Sequence, residues 1–297
     1  MRAMSQLLWD GPEIPKPVAS RRRPVPGTAS GRFDRFQFDQ PLEYLLALPL
    51  ATVIAFAVNG TLPGLTRPFH IWIHEFGHAT VAWLSGRRAL PLPIGWTSFE
   101  LDRSTVVYGA LLFLLGVLGY TAWREKVGGA LVFTSALVVV QFVMTWILSF
   151  RTIDLWITFG GIGGQFYLSA LLIVLFYVPL PDRFRWDFWR YAVLAVAASS
   201  FWETFTFWKQ VAMGQAGIPW GSILGAGDAG GDMNRLANTF GWPDRRIVST
   251  YNTLGNVCLL LLLCVYGWFL FRERHRVLAS LRGGVKRGII GDDHDGP

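Results

Sequence analysis

His74-Glu75-Phe76-Gly77-His78 forms an HExxH pattern inside an apolar run, Pro68 to Ser85, that has no helix breaker after Pro68. On a helix, residues four apart project from one face a turn apart. His74 and His78 can therefore present their imidazoles to one zinc ion at about 2.0 to 2.1 Å. Glu75 follows about 100° around the helix. A carboxylate there stays off the metal and can take a proton from an attacking water and hand it to a leaving amine, the general-base role that this motif implies. Short patterns of this kind also arise by chance in soluble helices, where all three side chains are simply solvated. Here Phe76, Val81, Trp83 and Leu84 surround them with apolar groups, and ionisable residues in a membrane-grade segment are functional by default.

His70 extends the stripe to i, i+4, i+8. Positions eight apart lie about 12 Å apart along the axis, too far to share one ion. His70 is thus expected at an interface or in support of the ligands. A catalytic zinc usually takes three protein ligands and keeps one open position, so the third ligand must come from elsewhere. The acidic candidates are Glu100, Glu203, Asp228 and Asp232. Glu100 follows Pro91, Pro93 and Gly95, which deny it the regular helix that carries the downstream Glu of soluble zincins. Glu203 lies deep in an apolar segment, as a ligand, a supporting carboxylate or a group snorkelling to the interface. Asp228 and Asp232, both in the glycine-rich stretch before Met233, are equal on chemistry alone, and Asp232 could also be no more than a helix N-cap.

The elements that must position these groups are membrane helices. Hydrophobic residues make up 52% of the 297 and charged ones 16%, against about 25% charged in an ordinary soluble domain. Apolar segments at 43–59, 69–85, 105–123, 129–149, 153–180, 190–212 and 247–271 predict an all-α polytopic membrane protein with six to seven transmembrane segments. Residues 42–271 would form one membrane-embedded domain. A basic, proline-rich and disordered tail is expected over 1–41, without a secretory signal, and a basic then acidic tail over 272–297. Placing both arginine-rich ends in the cytoplasm requires an even number of crossings. Either one of seven segments is re-entrant or interfacial, or one end is misplaced by that rule.

The net charge of +7 sits mostly at span edges and in the tails, which argues for a lipid bilayer and against a nucleic-acid partner. Cys258 and Cys264, six apart in one span, fit buried thiols better than a disulfide or metal site. Between the second and third segments, Ile94 to Leu101 carries aromatic and β-branched residues in near alternation after two prolines. That pattern fits a short extended element or membrane-associated β hairpin and, equally, an ordinary cytoplasmic loop; if extended, it offers an edge on which an unwound substrate could be laid. Gly160, Gly161, Gly163 and Gly164 weaken a helix but let backbones approach closely, as a packing face or at a site. The Gln165 amide beside them could hold a substrate peptide.

Three stretches together resemble the site-2 protease group of intramembrane zinc metalloproteases, peptidase family M50. His74-Glu75-Phe76-Gly77-His78-Ala79 is similar to the HExxH core, and Ser85-Gly86-Arg87-Arg88 to the basic exit of compact bacterial members. Gly160-Gly161-Ile162-Gly163-Gly164-Gln165 corresponds loosely to the AGPxxN-type segment, with Ile162 for Pro and Gln165 for Asn. The stretch Asp232-Met233-Asn234 to Gly241-Trp242-Pro243 resembles the segment that carries the family's Asp ligand. The chain departs in lacking an Asp-Gly pair at 232 and 233 and in leaving no room for a PDZ module.

By that likeness one zinc ion per chain is held by His74, His78 and Asp232, with Asp228 as second choice, and Glu75 is catalytic. Gly160, Gly161, Gln165, Asn234, Glu203 and His70 would position substrate or support the ligands. The implied activity is hydrolysis of peptide bonds in a membrane-spanning substrate helix. A bacterial host would put it in the cytoplasmic membrane. The rival expectations are a non-catalytic zinc-binding scaffold, marked by a closed four-ligand site, and a metal transporter, which would spread acidic and histidine positions along one pore.

Overall fold

The computed structural model describes residues 41–178, 180, 181, 184, 189–222, 225 and 228–290, without the side chains of 41–44, 276 and 279–290. The tail expected over 1–41 therefore lies outside the described residues except for Pro41, as do the last seven residues of the chain.

Helix α1, Pro41–Thr61, and helix α2, Pro63–Leu84, are separated by Leu62 alone and bend by 112°. The break follows from Pro63. Its ring disfavours helical backbone at Leu62, which sits at φ −132°, and proline itself is well suited to a first helical turn. The motif helix thus begins at Pro63 and not at the expected 69, because Pro68 removes only one amide donor and is carried inside the helix.

Strands β1, Arg87–Leu92, and β2, Trp96–Arg103, form an antiparallel hairpin that pairs Pro91 with Thr97 and Ala89 with Phe99. The turn at Pro93-Ile94-Gly95 is closed by the Gly95 amide donating to Leu92 O at 3.3 Å, with Gly95 at φ +86°, a conformation that favours glycine. Among the described residues the sheet has two strands, so each keeps one unpaired edge there.

Among the described residues the helices that follow are α3 (Thr105–Arg124), α4 (Gly128–Phe142, running into a π turn at Val143–Ile147), α5 (Phe150–Tyr177), α6 (Trp189–Ala212) and, after a glycine-rich loop, α7 (Asp232–Asn238). The last, α8 (Asp244–Ile290), continues through the predicted boundary at 272. Among the described residues four helices are long and apolar enough to cross a membrane: α3, α4 with its π turn, α5 and the first part of α8. The bent pair α1–α2 brings the number to at most five. Helix α6 has the length, but Arg190, Glu203 and Lys209 dilute its apolar character.

The main core gathers Phe166 and Ile173 of α5, Phe201 and Trp208 of α6, and Tyr251 and Phe269 of α8 against Ala51 and Ala55 of α1. A smaller core sets Ala82 of α2 against Met144, Ile153 and Ile157, with Ala89 and Phe99 of the hairpin packed on it. Lipid tails are as apolar as these side chains, so close van der Waals fit, more than expulsion of water, holds such helices together.

Candidate metal centre

Helices α2 and α5 meet through glycine. A Cβ at Gly77 would run into the Gly160 carbonyl oxygen and come within 2.8 Å of the Gly164 Cα, and one at Gly160 would come within 2.9 Å of the Gly77 oxygen. Gly160 and Gly164 stand one turn apart, so they form the strip of α5 on which Gly77 rests. The Tyr167 hydroxyl donates to Gly77 O at 2.9 Å and ties the two helices just beyond. The backbone between the two motif histidines is thereby drawn against α5.

Gly161 has a different role. A Cβ there would lie 2.5 Å from His74 Nε2, 2.5 Å from His78 Nε2 and 2.6 Å from Asp232 Oδ2. These three atoms form a triangle whose edges are all 3.2 Å. Tetrahedral zinc with bonds of about 2.0 to 2.1 Å separates its ligand atoms by about 3.3 to 3.4 Å. The donor set therefore fits the ion in chemistry and spacing. Asp232 Oδ2 points the same way, being buried without a hydrogen-bond partner among the described residues, a condition costly to a carboxylate unless a cation meets it.

His78 is oriented for ligation from behind. Its Nδ1 lies 2.6 Å from Ile157 O, and a carbonyl can only accept. The proton therefore sits on Nδ1 and the Nε2 lone pair is free.

Asp232 reaches the triangle because α7 is fastened on several sides. Met233 and Leu236 are buried in the main core, and Arg235 pairs with Asp154 of α5 at 2.9 Å. Asn234 Oδ1 accepts from the Gly221 amide at 2.6 Å. Gly231, the residue before the helix, lies so near the Gly221 carbonyl that a Cβ could not fit. Asp232 is thus the first helical residue and not the N-cap.

Glu75 is 5% exposed. Thr97 of β2 donates its hydroxyl to Glu75 Oε2 at 2.6 Å and lies 3.1 Å from Glu75 O. Sequence reasoning did not single out Thr97. Its place in the alternating stretch 94–101 marks it as facing one way, but only the packing of hairpin on helix shows what it faces.

The remaining predicted residues lie apart from the triangle. Asp228 bonds the Ser222 hydroxyl and accepts from the Gly230 amide at 2.9 Å, and these bonds hold its carboxyl below the usual range. His70 pairs with Glu203 through Nδ1, and its Nε2 lies 2.9 Å from Ser199 Oγ. Ser199 in turn donates to Asn59 Oδ1 at 2.7 Å. This network pins α2 to α1 and α6. The Gln165 amide donates to His70 O at 3.2 Å, and Glu100 pairs with Arg88 on the exposed face of the hairpin.

Comparison with protein-family models, with curated proteins and with solved structures gave no match. From its own geometry, this is a helical protein with membrane-spanning character and a His74, His78, Asp232 cluster consistent with a metal-binding site.

Proposed function

We propose that the chain is a zinc-dependent intramembrane endopeptidase of the site-2 protease type, acting on membrane-spanning substrates. The observation that carries this reading is the three-donor triangle over Gly161, with Glu75 next to His74 on α2. Zinc held there by His74, His78 and Asp232 would supply Lewis acidity for a scissile carbonyl and its attacking water.

The chain's own residues do the rest. Glu75 takes the proton of the attacking water and delivers it to the amine nitrogen as the peptide bond breaks. Ile157 O keeps the His78 ring in its ligating tautomer, and Gly161 leaves the centre open. A substrate helix hides its peptide groups in its own hydrogen bonds and must unwind before hydrolysis. The unpaired hairpin edge is where exposed backbone groups could take over those bonds. Gln165, whose amide donates to the His70 carbonyl, supports α2 in this reading. Helix α6 would add a sixth crossing, in the cytoplasmic membrane if the host is bacterial.

The test compares membranes of cells producing the wild type and Glu75→Gln by mass spectrometry of new peptide termini, alongside zinc analysis of both purified proteins. Termini inside membrane spans that appear with the wild type alone, at equal zinc, support the reading. Zinc in both with no terminus dependent on Glu75 would leave a non-catalytic zinc protein in its place.

A further inference from the structure

The hairpin rests on α2 at three points. Phe99 and Ala89 pack on the small core around Ala82, and Trp83 Nε1 donates to Ala89 O at 3.1 Å. The third point is Thr97. Along β2 the half-buried residues are Thr97 and Phe99, while Trp96, Ser98 and Glu100 are exposed. This period of two places the Thr97 hydroxyl on the helix side.

We propose that Thr97 is a positioning residue for Glu75, and that through it the seating and register of the hairpin set the carboxylate of the general base; its catalytic consequence rests on the protease reading, its geometry does not. A glutamate on a helix has three side-chain torsions to settle. The Thr97 hydroxyl holds Oε2 at 2.6 Å and so selects one arrangement, leaving Oε1 for another partner. Threonine suits this task because branching at Cβ restricts its first torsion, so the strand backbone aims the hydroxyl. A slip of one residue would turn Thr97 outward and bring Trp96 or Ser98 to face Glu75. Whatever displaces β2, including a segment pairing with its free edge, therefore acts on the base directly.

The experiment uses the full chain, zinc-loaded in detergent, and follows hydrogen exchange of the amides in 96–103 by mass spectrometry. Thr97→Val keeps the shape and removes the hydroxyl, and Glu75→Ala removes its nearer, carboxylate acceptor while the Glu75 carbonyl stays. Each should speed exchange about tenfold, since hydrogen bonds to charged groups are among the stronger ones. The double variant should be no faster than either single one, because both remove the same interaction. Thr97→Ser, which restores the hydroxyl, should stay within about threefold of the wild type.

Unchanged exchange in Thr97→Val, effects that multiply in the double variant, or Thr97→Ser as fast as Thr97→Val would each overturn the proposal. Zinc content should be the same in all Thr97 variants; loss with Thr97→Val would make Thr97 a support for the ligands instead. Absence of zinc from the wild type defeats the protease reading, while the exchange comparison still decides the coupling.

Discussion

Arg235 of α7 lies 2.9 Å from Asp154 of α5, and this pair fastens the short helix three residues past Asp232. Arg235→Ala should loosen the delivery of the third ligand without touching any donor. Both partners are partly exposed, so the pair contributes about 1 kcal/mol. Zinc affinity, measured by competition with a chelating indicator, should fall about fivefold. The exchanged pair, Asp154→Arg with Arg235→Asp, should recover part of it.

Gly161→Ala should empty the centre with all three donors intact, because the added methyl takes the position 2.5 Å from both histidine nitrogens. Zinc per chain should fall from one to near none, with helical circular dichroism unchanged. Gly160→Ala should behave differently. Its methyl meets the Gly77 carbonyl oxygen, and such overpacking costs about 1 to 3 kcal/mol, so thermal stability should drop.

Asp232→Ala should abolish stoichiometric zinc, whereas Asp228→Ala should retain it. The Asp228 oxygens are engaged by Ser222 and the Gly230 amide, so its loss loosens the glycine-rich loop and no more. Metal analysis of the two purified variants checks this. Equal loss from both would put Asp228 at the metal.

Ser199→Ala should destabilise the fold without changing zinc content. His70 Nε2 and Asn59 Oδ1 would both lose the hydroxyl that joins them. Stranding buried polar groups costs about 1 to 3 kcal/mol. A lower midpoint of unfolding in detergent, at one zinc per chain, is the expected outcome.

Local pattern settled a good part of this protein. His74, Glu75 and His78 owe their relation to helical periodicity, whereas the alternation over 94–101 fits a hairpin and a plain loop equally, and packing on α2 makes it a hairpin. Chemistry alone leaves Asp228 and Asp232 close to equal, and only the family resemblance favours Asp232. The structure separates them physically. The Arg235–Asp154 pair, spanning 81 positions, and the burial of Met233 and Leu236 carry one aspartate to the histidines, while the other spends its oxygens on its own loop.

The glycine run shows the same division. Four glycines in five residues announce close approach, but the side of α5 that meets α2 is decided by how the two helices pack. That packing gives Gly160 and Gly164 to Gly77 and gives Gly161 to the His74, His78 and Asp232 donors. The Gln165 amide meets the His70 carbonyl across the helix pair, a contact that no local pattern announces. The number of crossings also escaped periodicity, because α6 carries polar groups on a helix whose apolar faces are buried among α1, α5 and α8. Spacing along one helix is dictated by backbone geometry and can be read from sequence; what a side chain meets across the bundle depends on contacts between distant segments, which only the folded chain supplies.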